Sequence, residues 1–321
     1  MRVLVTGGAG YVGSTLVGLL LEAGHEVRVL DVLLHGGESL LGVWTHPRFE
    51  FCRGDVREAP IVRSAVAGMD AVVHLAAIVG DPACARDTAL TTAVNLDGSL
   101  GLLEASRRAG VGRFVFASTC SNYGRMADPE GYVDETSELS PVSLYAETKV
   151  AVERALLDGG ANGMAATPLR FATVFGVSPR MRFDLTVNEF TAELVSGRRL
   201  IVFGEQFWRP YVHVRDAARA IIGVLEADTG TVNRRVFNVG ATEQNYRKDQ
   251  LVELIRPLAP GAEVEYVHRA EDPRDYRVSF QRIADDLGYR VTRGVPHGVR
   301  EVAALVRGGA VADWTAPRYR N

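Results

Sequence analysis

The feature that most constrains the fold is a glycine-rich stretch near the start of the chain, Thr6–Gly13. It follows the apolar run Val3–Val5, and apolar side chains recur at helical spacing over residues 14–23 behind it. A strand, a glycine turn and a helix in this order form a nucleotide-binding element, because the turn approaches a pyrophosphate closely and the helix start offers it unpaired N–H groups. The alternative is a tight turn that only packs a helix on a strand. The pattern predicts cofactor contacts from Gly7, Gly10, Tyr11, Val12 and Gly13.

An acidic residue, Asp31, ends the second apolar run, residues 26–30. In dinucleotide-binding folds, a carboxylate at this distance from the glycine turn can hydrogen-bond both hydroxyls of the ribose. The same negative charge repels the additional phosphate of NADP. We therefore predict NAD as the cofactor, with a solvated acid at a strand end as the alternative.

Charge and cysteine content exclude several classes of function. The 321 residues hold 36 Lys and Arg against 39 Asp and Glu, a net charge of −3, so neither nucleic acid nor an anionic membrane is predicted as a partner. Cys52, Cys84 and Cys120 lie far apart without a CxxC pattern, which fits neither a disulfide framework nor a zinc site, and no metal is predicted. The chain lacks a basic start followed by a long apolar run, so we expect no signal peptide, no membrane span and a cytoplasmic location.

Strand-like and helix-like segments alternate through the first half of the chain. Predicted strands at residues 49–52, 71–77 and 113–117 are separated by predicted helices at Val56–Ala67 and Thr92–Ala109. This alternation predicts an α/β fold with a doubly wound parallel (Rossmann) sheet, whose sites lie at the carboxyl ends of the strands.

Polar residues at or near these strand ends are candidates for the site. Asp55 follows the third predicted strand, where adenine binds in such folds, and capping of the next helix is the alternative. His74 lies within an apolar strand and is interpreted as a core histidine. Ser118 and Thr119 directly follow the predicted strand at 113–117, so their hydroxyls can reach a ligand in the crevice.

Tyr145 and Lys149 lie one helical turn apart at the start of another predicted helix, so their side chains share a face. Free tyrosine has a pKa of about 10 and is a poor base at neutral pH. A nearby ammonium, together with an oxidised nicotinamide, favours the phenolate and lowers that pKa. The pair predicts a general base that needs no metal; the alternative is a surface lysine over a half-buried tyrosine.

Together, these motifs resemble those of the extended short-chain dehydrogenase/reductases, specifically the NAD-dependent nucleotide-sugar epimerase/dehydratase family. They keep the family's order from residue 3 to about residue 240. The matching segments are Thr6–Gly13, Asp31, Gly54–Val56, His74–Ala77, Asn95, Ser118–Thr119, Tyr123–Gly124, Tyr145 with Lys149, Leu169–Phe171, Val174–Gly176, Arg209–Asp216 and Phe237–Gly240.

The resemblance implies roles for individual residues. It makes Tyr145, Lys149 and Thr119 catalytic. Implied cofactor contacts, beyond the glycine turn and Asp31, are Asp55, Val56, Leu75, Ala76, Ala77, Asn95, Ser118, Tyr145 and Lys149. The substrate is implied to be a nucleotide-diphosphate sugar, with Arg209 and either Arg274 or Arg277 on its diphosphate, since the planar fork of arginine pairs two phosphate oxygens. The implied substrate contacts are Thr119, Cys120, Ser121, Tyr145, Asn188, Arg209, Arg274 and Arg277.

The resemblance also implies the domain organisation. Residues 1–170, with returns near 205–240, would form the NAD-binding Rossmann domain, and 171–204 with 241–321 a smaller α/β substrate-binding domain. The second part contains a predicted helix, Leu185–Val195, after the basic stretch Arg180–Arg182, and a loop-like, arginine-rich tract at 269–277. Relatives pair the helices corresponding to Tyr145–Leu157 and Thr92–Ala109 in a four-helix bundle, so a homodimer is expected.

The motifs are compatible with four functions. The leading hypothesis is an NAD-dependent epimerase, an isomerase that acts at C4 of the sugar through a transient 4-keto intermediate. A 4,6-dehydratase is the alternative lyase, but such relatives carry an Asp-Glu pair after the threonine, where this chain has Cys120 and Ser121. A one-way 4-ketosugar reductase usually needs NADPH. Asp31 disfavours this function because its charge repels the additional phosphate of that cofactor. A non-enzymatic dinucleotide sensor typically lacks the Tyr/Lys pair that this chain keeps.

Overall fold

The central feature of the protein, seen in a computed structural model that describes residues 1–126, 128, 131–160, 163–269 and 274–321, is a seven-stranded parallel sheet. The strands of the molecule are β1 Arg2–Thr6, β2 Glu26–Asp31, β3 Phe49–Arg53, β4 Ala71–His74, β5 Arg113–Thr119, β6 Ala165–Phe171, β7 Thr173–Phe175, β8 Leu200–Phe203, β9 Trp208–His213, β10 Phe237–Val239, β11 Asn245–Arg247 and β12 Val264–Val267. The helices are α1 Tyr11–Glu22, α2 Ala59–Val66, α3 Asp81–Arg86, α4 Thr88–Thr92, α5 Ser99–Arg108, α6 Leu144–Ala155, α7 Thr186–Val195, α8 Val214–Glu226, α9 Thr229–Val232, α10 Lys248–Ile255, α11 Gln281–Leu287 and α12 Val295–Arg307.

The order of strands in the main sheet is β3-β2-β1-β4-β5-β6-β10, and every neighbouring pair is parallel. The chain moves outward from β1 in one direction as far as β3 and then returns to β4 on the other side of β1. This reversal makes the crevice beside β1 the expected ligand site. The predicted α/β fold with a doubly wound parallel sheet is confirmed.

Both faces of the sheet are covered by helices, which explains why its strands read as nearly continuous apolar runs. Val3 and Val5 belong to a core with α1 and α8 on one face. Leu4, which points to the opposite face, belongs to a core with α2, α5 and α6. All three side chains are fully buried, so alternate residues of one strand stabilise two separate cores.

A smaller layer is built mainly from the second half of the chain. It contains a three-stranded sheet in the order β11-β9-β7 and a two-stranded sheet of β12 and β8. Helices α7, α10 and α12 pack with these strands around a core that includes Phe175, Val202 and Val299. The helix predicted at Leu185–Val195 is confirmed as α7. The predicted loop at 269–277 is only partly visible, since residues 270–273 lie outside the described residues.

Two predicted helices differ from the structure. The helix predicted at Thr92–Ala109 is interrupted by a wide π turn at Ala93–Gly98, between α4 and α5. There the Asn95 side chain bonds both the backbone N–H and the carbonyl of Ile78, at 2.8 and 2.9 Å.

The helix predicted to start at Val56 instead starts at Ala59. Asp55 binds the Arg57 side chain at 2.6 Å, and its carbonyl accepts from the backbone N–H of Glu58, the N-cap. The alternative reading of Asp55 as the helix cap is therefore wrong.

The buried histidine is a core residue, as interpreted from the sequence. His74 lies between the hydroxyls of Thr6, at 2.6 Å, and Ser99, at 2.8 Å. Burial, with a smaller effect of the Lys149 charge, lowers the pKa of His74 to about 3. The ring is therefore neutral at physiological pH and joins β1, β4 and α5.

No helix in the described part of the chain is long and apolar enough to span a membrane. Within the same residues, no group of three His, Cys, Asp or Glu side chains is placed to hold a metal ion. A cytoplasmic location stays a prediction.

Candidate active site

A cavity of about 780 Å³ lies at the carboxyl ends of the central strands, between the main sheet and the smaller layer. The structure brings most of the predicted site residues to its wall. These are Gly7, Gly10, Tyr11, Val12, Gly13, Asp31, Asp55, Val56, Leu75, Ala76, Ala77, Ser118, Thr119, Ser121, Tyr145, Lys149 and Arg274. Residues far apart in the sequence therefore surround one space.

The glycine turn at one end of the cavity cannot accommodate side chains. Gly7 has a φ of +74°, and a Cβ atom on it would lie 2.7 Å from the backbone nitrogen of Ala76. A Cβ on Gly13 would collide with the carbonyl oxygen of Gly7. Gly10 caps α1 without a side-chain hydrogen bond, so the unpaired N–H groups of the first turn remain available at the cavity wall. This cradle fits a phosphate group.

Asp31 is fixed at the neighbouring strand end. Its carboxylate oxygens accept hydrogen bonds from the backbone N–H groups of Ala9, at 2.9 Å, and Leu33, at 2.8 Å. Burial raises the pKa of Asp31, and these two hydrogen bonds partly offset that effect. A dinucleotide requires a turn without Cβ atoms for its phosphates and a fixed carboxylate for its ribose hydroxyls. Both are present here, so the residues fit NAD.

The predicted catalytic pair lies at the other end of the cavity. Helix α6 begins after Ser143, whose side chain accepts from the backbone N–H of Ala146. This helix presents Tyr145 and Lys149 on the same face, with the Lys149 ammonium 5.8 Å from the centre of the Tyr145 ring. Lys149 is almost fully buried and donates to the carbonyl of Ala117 at 2.8 Å. The end of β5 therefore sets the position of the lysine.

The pKa expectation for Tyr145 is not met by the protein alone. Burial raises the pKa of the phenol, Cys84 raises it further, and Arg182 has a smaller lowering effect. Burial also lowers the pKa of Lys149 to about 8. In the protein without a ligand, burial therefore favours the neutral phenol of Tyr145.

A buried network lies behind this pair and joins helix α6 to strands β5 and β6. Arg170 forms a two-pronged ion pair with Glu153, the shortest N–O distance being 2.7 Å. Glu153 lies one turn beyond Lys149 on α6 and also accepts from Ser118 and from Asn122, the latter at 2.9 Å. The Ser118 hydroxyl is thus committed to holding α6 against β5.

Five predicted contacts are not at the cavity wall. Asn95 holds the Ile78 backbone, as described above. Cys120 is 1% exposed and its thiol donates to the carbonyl of Arg170 at 3.2 Å. Asn188 is fully buried; its oxygen accepts from Gly176 N–H at 2.9 Å and its amide donates to the Arg182 carbonyl at 2.8 Å. These side chains hold the cavity wall from behind.

The remaining two, Arg209 and Arg277, lie outside the cavity lining. The Arg209 guanidinium packs 5.5 Å from the ring centre of Tyr276, whose own side chain lines the cavity. The Arg277 guanidinium lies 5.0 Å from the ring centre of Trp208. Arg274, by contrast, reaches the cavity and pairs with Asp81 at 2.8 Å. Binding of a sugar diphosphate by these arginines stays a prediction.

Several cavity residues were not assigned to the site from the sequence. They are His35, Asp81, Arg180, Arg182, Asp184, Tyr276, Arg320 and Asn321. The basic stretch Arg180–Arg182 was visible in the sequence, but nothing local to it indicates a ligand. Arg320 and Asn321 reach the cavity only through tertiary contacts.

Comparison with known proteins agrees with this geometry. The sequence matches the NAD dependent epimerase/dehydratase family over residues 3–240. A dTDP-glucose 4,6-dehydratase from Streptomyces griseus is 33% identical over 315 residues, covering 94% of this chain and 93% of the relative. A UDP-glucose 4-epimerase from Corynebacterium glutamicum is 30% identical over 309 residues, covering 90% of each chain.

The fold is similar to that of UDP-glucose 4-epimerase from Thermus thermophilus, solved in complex with NAD. The TM-score is 0.83 at 30% identity, and the match covers 96% of this chain and 99% of that one. The family that the motifs resemble is confirmed, and so is NAD, the cofactor on which this family depends. The chain belongs to the NAD-dependent epimerase/dehydratase family of enzymes.

Proposed function

We propose that the protein is an NAD-dependent epimerase of a nucleotide-diphosphate sugar, acting at C4 through a transient 4-keto intermediate. The observation that carries the proposal is one cavity that joins the dinucleotide cradle to Tyr145, Lys149 and Thr119, with no acid pair after Thr119. The relationship to UDP-glucose 4-epimerases supports it.

In this proposal, Tyr145 removes the proton of the C4 hydroxyl and later returns it. Thr119 hydrogen-bonds the same sugar oxygen, and Lys149 supplies positive charge beside the tyrosine. When bound, NAD supplies a hydride acceptor for C4 and a donor to its other face. The keto sugar rotates in the cavity between the two hydride transfers. The small side chain of Ser121 at the cavity wall leaves room for this rotation.

The alternative is a 4,6-dehydratase, which the 33% identity to the Streptomyces griseus enzyme favours. Elimination needs positioned acid and base groups at C5 and C6. Burial raises the pKa of the Cys120 thiol well above its usual value, and that thiol is bonded to a backbone carbonyl. The neutral Ser121 hydroxyl, 3.4 Å from the Tyr276 hydroxyl, is a poor base. This placement supports the epimerase.

The reaction product tests the choice between these two activities. With NAD and a panel of nucleotide sugars, we expect a product of unchanged mass with inverted C4 by NMR, and we expect Cys120→Ala to keep most of the turnover. Cys52→Ala, at a half-buried cysteine of β3, is the matched control. Loss of one water from the sugar, abolished in Cys120→Ala but not in Cys52→Ala, would show a dehydratase that uses the thiol.

Cofactor choice depends on Asp31 in this proposal. We expect calorimetry to show NAD binding at least about tenfold tighter than NADP, because a fixed carboxylate repels the additional phosphate. Asp31→Asn keeps the shape of the side chain and removes its charge. The difference between the affinities for NAD and NADP should therefore become smaller. Equal affinities in the unaltered protein would contradict the assignment.

We also propose the predicted organisation of the molecule. Residues 1–170, with returns near 205–240, would bind NAD, and 171–204 with 241–321 would bind the sugar nucleotide. The protein would act as a homodimer through the outer faces of α5 and α6, and in the cytoplasm.

A further inference from the structure

Arg180 is a buried cation in the cavity wall, and no described residue forms an ion pair with it. It is 7% exposed and lines the cavity. Its neighbour Arg182 pairs with Asp184 at 2.7 Å, whereas Arg180 forms no ion pair with any described residue. Its Nε–H is buried and, within the described residues, meets no acceptor. Burying a charge without a counter-charge is costly, so this arrangement calls for an anion.

The backbone of Arg180 is fixed against the first turn of α1. Its N–H donates to the Ser14 hydroxyl at 3.3 Å. Ser178, two residues earlier, donates to the carbonyl of Tyr11 at 2.6 Å. The N–H groups of Tyr11 and Val12, which no side chain caps, and the Arg180 side chain therefore line the same cavity, and both features favour a negatively charged ligand there.

The end of the chain holds the guanidinium in place. Arg180 Nη2 donates to the carbonyl of Arg320 at 3.2 Å and to the Asn321 side chain at 2.8 Å. This tail is anchored by the backbone N–H of Phe183, which donates to the Tyr319 carbonyl at 2.9 Å. These acceptors are neutral, so they orient the arginine without neutralising it.

The surrounding groups leave the positive charge available. Burial lowers the pKa of Arg180 to about 10, with Arg182 adding to the effect and Asp184 opposing it, so the group remains protonated at neutral pH. Burial, followed by the charges of Arg180 and Arg182, lowers the pKa of His35 to about 4, and the imidazole is neutral. Asp184 is already paired with Arg182.

We propose that Arg180 binds the diphosphate of the NAD cofactor together with the first turn of α1. The inference rests on the NAD dependence of the family and not on the reaction at the sugar. It places a cofactor contact on the segment between β7 and α7, so that the smaller layer as well as the main sheet holds the dinucleotide.

Titration of cofactor-free protein with ADP and with adenosine tests this. ADP carries a diphosphate and adenosine does not, so the two ligands separate a phosphate contact from a general effect on the cavity. In Arg180→Met the Kd for ADP should rise about 10- to 100-fold, while the Kd for adenosine stays within about twofold. Arg318→Met removes an equal charge from an exposed site on the same tail and should leave both Kd values unchanged.

An unchanged ADP affinity in folded Arg180→Met overturns the proposal, as does an equal loss for ADP and adenosine. Should that variant fail to fold, Arg180→Lys carries the test, because it keeps the charge and loses the fork. Weaker ADP binding with unaltered adenosine binding then supports the contact, and any other result contradicts it. None of these results depends on which sugar the enzyme converts.

Discussion

Replacing Tyr145 by phenylalanine should leave the protein folded and able to bind NAD, yet lower kcat on its sugar substrate by about a hundred- to ten-thousand-fold, the range for a lost general base. The phenol lies at the cavity wall beside Lys149, on the face of α6 that β5 holds in place. Phenylalanine keeps the ring and removes only the hydroxyl that we propose as the base. Steady-state kinetics, calorimetry with NAD and circular dichroism measure the three properties separately.

Two further variants give this experiment its controls. Thr119→Val removes the hydroxyl that we propose bonds the sugar oxygen and should cost about 1 kcal/mol, or roughly fivefold in rate. Tyr276→Phe removes another phenol from the same cavity, one bonded to Ser121 at 3.4 Å, and should reduce turnover far less than Tyr145→Phe. Near-normal turnover by Tyr145→Phe, or an equal loss in Tyr276→Phe, would contradict the assignment of the base.

The largest effect on stability is expected at the buried ion pair behind the site. Arg170→Met should lower the free energy of unfolding by about 3–5 kcal/mol, because the Glu153 carboxylate then remains buried without its cation. Arg170 and Glu153 are 4% and 1% exposed. Urea denaturation followed by circular dichroism measures the change.

A surface pair provides the comparison. Arg199 pairs with Glu265 where both side chains are well exposed, so Arg199→Met should change stability by less than about 1 kcal/mol. The double variant with Glu153→Gln and Arg170→Met should be more stable than the summed effects of the two single substitutions predict. In the double variant, neither position leaves a buried charge without its partner. Similar losses of unfolding free energy in Arg170→Met and Arg199→Met would show that the buried ion pair stabilises the protein no more than the surface pair.

The parts of the fold that the sequence predicted are those with local signals. Residues 2–22 alone predict β1, the glycine turn and α1 in this order. Within them, the spacing of apolar residues changes at the glycines from that of a strand to that of a helix. The pairing of Tyr145 with Lys149 follows from helical spacing alone. The doubly wound sheet follows from the alternation of strands and helices along the chain. Two neighbouring parallel strands must be joined by a crossover connection, which is usually a helix.

What the sequence did not reveal depends on contacts between distant segments. The π turn at Ala93–Gly98 is held by a hydrogen bond from Ile78 to Asn95, which no periodicity encodes. Arg209 packs on Tyr276 behind the cavity lining, a tertiary contact that the sequence does not reveal. Arg180 reads as an ordinary basic residue until the end of the chain is seen beside it, 140 residues away.

The position of β10 at the edge of the main sheet has a consequence for synthesis on the ribosome. Strand β6 is buried along all seven residues, and its outer edge pairs with β10, which follows only after residues 172–236. At 5–20 residues per second, those 65 residues take about 3 to 13 seconds to translate. During that interval a nascent chain carries an apolar strand with an open edge, the kind of surface that associates with other chains. A chain truncated within this interval would lack β10 and leave the edge of β6 unpaired.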